Sequence, residues 1–132
     1  MAGGAYNGIY TIGALKHLIE KEFFDINNIE SIYGTSVGGF IGTLLCLKIE
    51  WPTIIDYILD RPWDRDLTFS ADMMFNMIPK KGILNSDYMK IFFKNLSDEI
   101  TLKEFYDFSK IKLFMFAVDV NTFEVVKISY NS

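Results

Sequence analysis

Gly34-Thr35-Ser36-Val37-Gly38 sets a serine between two glycines, right after the short apolar run Ile29-Glu30-Ser31-Ile32-Tyr33 and right before the apolar run Phe40 to Ile49. A strand that turns abruptly into a helix forces its apex residue into a strained backbone conformation. Small residues two positions either side let the neighbouring chain pass. The hydroxyl of Ser36 then stands clear at the sheet edge. Glycine and serine are common residues, so the pentapeptide alone is a moderate signal, and its strand-turn-helix setting is what strengthens it.

A second glycine-rich stretch, Gly3-Gly4-Ala5-Tyr6-Asn7-Gly8, precedes an amphipathic pattern. Ile9, Ile12, Leu15, Leu18 and Ile19 recur at helical spacing while Lys16, Glu20 and Lys21 fall on the other face, which predicts a helix from about residue 9 to 22. If a strand precedes the first loop, the order is strand-loop-helix twice over, with parallel strands joined by a right-handed crossover. Both loops then emerge at one sheet edge. Adjacent strands lie about 4.8 Å apart, so the N–H groups of the first loop come close to the Ser36 hydroxyl. Two helix N-termini point into the same space and favour an anion there. Acyl transfer requires this combination: a nucleophilic oxygen, and donors aimed at the oxyanion formed when it attacks an ester carbonyl. Two plainer readings remain beside it, a glycine-rich turn that merely packs closely and one that holds a phosphate. A dinucleotide fingerprint fits less well, because Ala5 stands where the pattern needs glycine.

Outward from these loops, Asp25 to Asn28 reads as a turn, Ile29 to Tyr33 as a short buried strand, and Phe40 to Ile49 as a helix. Trp51 to Leu59 reads as a further helix with Pro52 in its first turn, and residues 61–81 as an irregular excursion. Asn85 or Ser86 caps a helix to about Leu96, and Thr101-Leu102-Lys103-Glu104 is a capping box opening a helix to about Ser109. Lys112 to Val120 and Phe123 to Tyr130 read as strands joined by a hairpin turn at Asn121-Thr122. The expected fold is α/β, a mostly parallel sheet flanked by helices, in one domain over residues 1–132 with no internal boundary.

Composition narrows the functional classes. Half the residues are hydrophobic and 16% aromatic, which argues against disorder. The net charge is −4 and the 13 basic residues are dispersed, which argues against nucleic acid as a partner. The lone Cys46 lies in an apolar run and reads as a small buried hydrophobe; it precludes an internal disulfide or a Cys-rich metal site. The opening Met1-Ala2-Gly3-Gly4 has no basic or apolar leader region, and the uncharged stretch Ser31 to Leu47 is too short and too rich in glycine and hydroxyl residues for a membrane span. The expected location is cytoplasmic, or peripheral at a membrane surface. Met73 to Lys81 offers methionines and Phe75 as an adaptable apolar surface with lysines to meet anionic lipid heads; the alternative is core packing. The acidic balance keeps any membrane contact weak and transient.

A Ser-His-Asp triad of the α/β-hydrolase order needs its histidine after the serine, yet His17, the only histidine, precedes Ser36 among the polar residues of the first helix. An acyl hydrolase on this chain needs another base, most simply a carboxylate. In these features the chain resembles the patatin-like phospholipases. Gly3 to Gly8 is similar to that family's glycine-rich oxyanion loop, Ile12-Gly13-Ala14-Leu15 to its helix start, Gly34 to Gly38 to its nucleophile elbow, and Lys81-Gly82-Ile83-Leu84 and Ala117 to Thr122 to its middle section. The resemblance implies hydrolysis of lipid acyl esters by a Ser-Asp dyad with no metal or other cofactor. It makes Ser36 the nucleophile, Gly34 and Gly38 the elbow glycines, and Gly3, Gly4, Ala5 and Val37 the oxyanion donors.

The family's dyad aspartate sits in an Asp-Gly motif, and the 132 residues contain no Asp-Gly dipeptide. With only Met1-Ala2 before the first loop, the chain is similar to a family domain cut at both ends. Asp119 is the tempting substitute base, although the family pattern makes that position structural. Ala5 and Asn7 depart from the family's usual glycine and cation. The rival expectation is a noncatalytic truncated relative that binds a lipid, an anion or a partner without turnover.

Overall fold

A computed structural model of the protein describes residues 1, 3–4, 7–60 and 100–131. The irregular excursion over 61–81, the Met73 to Lys81 surface, the Lys81 to Leu84 match and the helix expected up to Leu96 lie outside those residues. The chain divides into two compact units, Met1–Asp56 with Thr101–Ser132, and Tyr57–Ile100. The first unit holds both glycine loops and every strand among the described residues.

The centre of that unit is the segment Val37–Cys46, which is apolar around most of its circumference and forms helix α2, with Gly38, Gly39, Ile41, Gly42, Leu44, Leu45 and Cys46 buried. A helix without a polar face is stable only when covered on most sides. Helix α1 (Gly8–Glu20) and the strands β1 (Ser31–Thr35) and β2 (Lys112–Val118) supply contacts. Gly42 permits the close approach to the sheet: a Cβ there would stand 2.9 Å from Ile32 Cγ2 and 3.0 Å from Leu113 Cδ1. Ile12, Ile32, Ile41, Leu44, Leu45, Ile54, Phe105, Ile111 and Leu113 complete the buried apolar set.

The fold is α/β with a small mixed sheet. Among the described residues the strand order is β1-β2-β3, with β3 at Val125–Ile128. β1 and β2 are parallel, Ser31 opposite Lys112 and Thr35 opposite Phe116; β2 and β3 are antiparallel, Val118 opposite Val125. The expectation of a mostly parallel sheet therefore holds for one neighbouring pair and not the other. The β2–β3 connection is also longer than a two-residue hairpin. It runs from Asp119 to Glu124, with Asp119 N–H donating to the Glu124 carbonyl at 2.9 Å and Phe123 turned to φ 58°.

Burial alternates along β1, so the reading of Ile29 to Tyr33 as a wholly buried strand fails on register and on exposure. The strand lies two residues later, Ile32 and Gly34 are buried beneath α2, and Tyr33 is 53% exposed on the opposite face. There its ring stacks on Phe114 and Phe116 with centroids 4.8 and 6.4 Å away, and Lys127 Nζ lies 5.4 Å above Phe114. Ile9 likewise departs from the expected apolar stripe of α1, being 54% exposed in the first turn while Ile12 is buried.

Helix α3 (Trp51–Leu59) carries Pro52 in its first turn, where the missing N–H has no intrahelical partner to lose. Helix α4 (Leu102–Ser109) starts at a complete capping box: Thr101 Oγ1 accepts from Glu104 N–H at 3.2 Å, and Glu104 Oε2 accepts from Thr101 N–H at 2.8 Å. The Thr101 backbone N–H, then its hydroxyl, holds the Glu104 carboxyl below its ordinary 4.5. A lowered folded-state pKa contributes stability above the ordinary carboxylate range, and that contribution is lost as pH falls through the lowered value. Thr101→Ala should cost about 1 kcal/mol near neutral pH by urea unfolding, a deficit that narrows in acid as Glu104 protonates in both proteins.

Cys46 has no exposed surface, and burial pushes its thiol up to about 12. The thiolate is the reactive species. Iodoacetamide at pH 8 should leave the native protein unmodified and alkylate it in denaturant; rapid native alkylation would show that α2 opens far more readily than its packing implies.

Candidate active site

β1 gives way to α2 at a single residue. Ser36 has φ 53° and ψ −127°, a conformation side chains rarely adopt, and its carbonyl accepts from Gly39 N–H at 2.9 Å and Phe40 N–H at 3.3 Å. The reversal brings β1 under the first turn of α2, and Gly34 makes room for it. A Cβ on Gly34 would lie 2.6 Å from both the Gly38 carbonyl oxygen and the Gly39 nitrogen.

A serine at a helix N-cap ordinarily accepts a bond from the second or third helical amide. Ser36 makes no such bond, and its exposed hydroxyl has no partner among the described residues. The N-cap of α1, Asn7, also makes no side-chain capping bond, and neither helix has an acidic residue in its first turn. Among the described residues, both helix ends thus keep first-turn amides that their own N-cap side chains and first-turn carboxylates do not engage.

The opening loop lies against the bend. A Cβ on Gly3 would sit 3.1 Å from Ser36 Cβ, 3.4 Å from the Thr35 carbonyl oxygen and 3.8 Å from Ser36 Oγ. Asn7 N–H donates to the Gly4 carbonyl at 2.8 Å, closing the loop as a turn. At its far end, a Cβ on Gly8 would come within 2.5 Å of Val37 Cγ2, so the tips of α1 and α2 touch. Met1 fixes the near end: its nitrogen donates to the Tyr33 carbonyl and its carbonyl accepts from Thr35 N–H at 3.2 Å, the bond pattern of a parallel rung. Ala5, expected among the donors, lies outside the described residues. Sequence reasoning did not anticipate the Met1 rung, for which a single residue carries no periodic signal, nor the Gly8–Val37 contact.

Two titratable residues weighed as bases lie elsewhere or are engaged. His17 is exposed near the end of α1. Asp119 follows β2 at the sheet edge that carries Ser36, three residues past Phe116, the partner of Thr35, roughly 10 Å beyond the level where β1 ends. Its Oδ1 accepts from Asn121 N–H at 2.7 Å and Thr122 N–H at 3.4 Å. The Asn121 N–H, then that of Thr122, holds its carboxyl below the ordinary value, as expected of a turn-capping aspartate. Among the described residues no three His, Cys, Asp or Glu side chains are grouped to hold a metal ion, and no helix is long and apolar enough to cross a membrane.

The sequence profile of one family matches residues 1–130: the chain belongs to the patatin-like phospholipases, which as a family are lipid acyl hydrolases. Among individual proteins, it is 26% identical over 121 residues to an uncharacterized protein of Acanthamoeba polyphaga mimivirus. The match covers 92% of this chain and 40% of that relative, so the chain spans well under half of the relative's length. No solved structure matches it.

Proposed function

We propose that this domain is a serine acyl hydrolase of lipid esters in which Ser36 attacks the acyl carbonyl. The carrying observation is the juxtaposition of an uncapped, exposed Ser36 hydroxyl at positive φ with the glycine loop at Gly3. In this reading Gly34 and Gly38 shape the elbow, and the backbone N–H groups of Gly3, Gly4, Ala5 and Val37 receive the oxyanion. Loss of one such donor typically costs on the order of 3 kcal/mol of transition-state stabilisation. The new Ser36–acyl bond forms as the alcohol leaves; water then cleaves it, releasing the fatty acid and restoring the hydroxyl. The site needs no cofactor in this scheme, and its substrate, a lipid ester, is met in transient contact with a membrane or micelle surface.

A fluorophosphonate probe tests the assignment. The expected product is a covalent adduct on the peptide that contains Ser36; a folded protein with no adduct there overturns it. A second reading, binding of lipid or anion without turnover, is favoured by the engagement of the Asp119 carboxylate in its own turn. Sustained hydrolysis of a p-nitrophenyl ester by the 132-residue chain removes that reading. Adduct formation without turnover supports it.

A further inference from the structure

We propose, resting on the assignment of Ser36 above, that the Val37 side chain is a positioning residue: it is the spacer that sets where the amides of the opening loop stand relative to the elbow. Val37 is the first residue of α2 and Gly8 the first of α1. A Cβ on the buried Gly8 would stand 2.5 Å from Val37 Cγ2, 3.4 Å from its Cγ1 and 3.5 Å from its Cβ, so the branched end of the valine bears on the Gly8 backbone. A β-branched side chain is stiff at χ1. The contact therefore fixes a distance between the two helix tips, where a long flexible side chain would only fill space.

That distance reaches the loop amides through bonded neighbours. Asn7, next to Gly8, donates its N–H to the Gly4 carbonyl at 2.8 Å, and Thr11 Oγ1 donates to the Asn7 carbonyl at 3.3 Å, which ties the end of the loop to the first turn of α1. A displacement of Gly8 is therefore transmitted to Gly4. On the other side, Val37 follows Ser36 directly, and in the acyl-transfer scheme its own backbone N–H meets the oxyanion. One residue thus carries a donor and holds the opposing donors at their separation from it. Such donors act only when aimed within about 3 Å of one developing charge, and a misplacement near 1 Å costs about 100-fold in rate.

The test is fluorophosphonate capture by the 132-residue chain, with the maximal rate and the half-saturating probe concentration measured separately on variants shown by urea unfolding to be folded. Val37→Ala removes both branches of the spacer. It should lower the maximal rate about tenfold and leave half-saturation within about twofold, because only groups that meet the transition state have moved. Gly8→Ala sets its methyl against Cγ2, parts the helix tips and should lower the maximal rate about 100-fold. The double variant relieves that clash and should react about tenfold faster than Gly8→Ala alone. If Gly8→Ala does not fold, the split between rate and half-saturation in Val37→Ala decides by itself. A full maximal rate in Val37→Ala, a loss confined to half-saturation, or a folded double variant no faster than folded Gly8→Ala overturns the spacer while a wild-type adduct keeps Ser36 as nucleophile. No adduct on Ser36 in the wild type overturns both.

Discussion

Ser36→Ala is expected to lose fluorophosphonate capture by at least ~10³-fold while the protein remains folded. The hydroxyl is exposed and makes no bond with any described residue, so its removal orphans no partner among them. Ser36→Gly separates chemistry from strain. The backbone at φ 53° and ψ −127° costs a side-chain-bearing residue roughly 1–3 kcal/mol, whereas glycine adopts it freely but gives up about 0.5–1 kcal/mol to its larger unfolded-state entropy. The balance favours the variant by about 1 kcal/mol. Urea unfolding should show a more stable protein that no longer reacts. A less stable Ser36→Gly would mean the bend holds no strain, and undiminished capture by Ser36→Ala would place the nucleophile elsewhere.

Gly34→Ala should produce the largest loss of stability of any single methyl added to this unit, about 3 kcal/mol. Its Cβ would stand 2.6 Å from the Gly38 carbonyl oxygen and 2.6 Å from the Gly39 nitrogen. These are backbone atoms of a buried helical turn, and they cannot swing aside as the tip of a flexible side chain does. Gly13→Ala is the matched control, because a Cβ there meets nothing within 4 Å and the residue is exposed within α1. It should stabilise the protein by about 0.5–1 kcal/mol through helix propensity. Comparable midpoints for the two variants would contradict the close passage of β1 beneath α2.

Much of this architecture was legible in the residues because local chemistry and tertiary demand agree. The capping box at Thr101 and Glu104, the proline in the first turn of α3 and the glycine-serine bend each specify their backbone within a few residues. The errors arise where exposure depends on what lies opposite. Tyr33 and Ile9 are apolar by composition, but a strand two residues out of register and a helix end near the sheet edge turn them outward. The β2–β3 loop is longer than Asn121-Thr122 alone suggests because Asp119 folds its carboxylate onto two following amides and stabilises the wider turn. For the candidate site, the pairing of two glycine loops at one sheet edge was readable from their order along the chain. The contact between Gly8 and Val37 was not, since periodicity says which face a helix buries and nothing about which helix tips meet. The two titratable residues most suggestive by type, His17 and Asp119, are respectively exposed on α1 and committed to a turn, positions that their residue types alone do not reveal.

The opening loop is clamped at both ends to one short stretch of chain, Gly3 against Ser36 and Gly8 against Val37. The two described ends of the loop thus bear on adjacent residues of the bend, so a shift of either helix tip is passed on to the neighbourhood of the Ser36 hydroxyl.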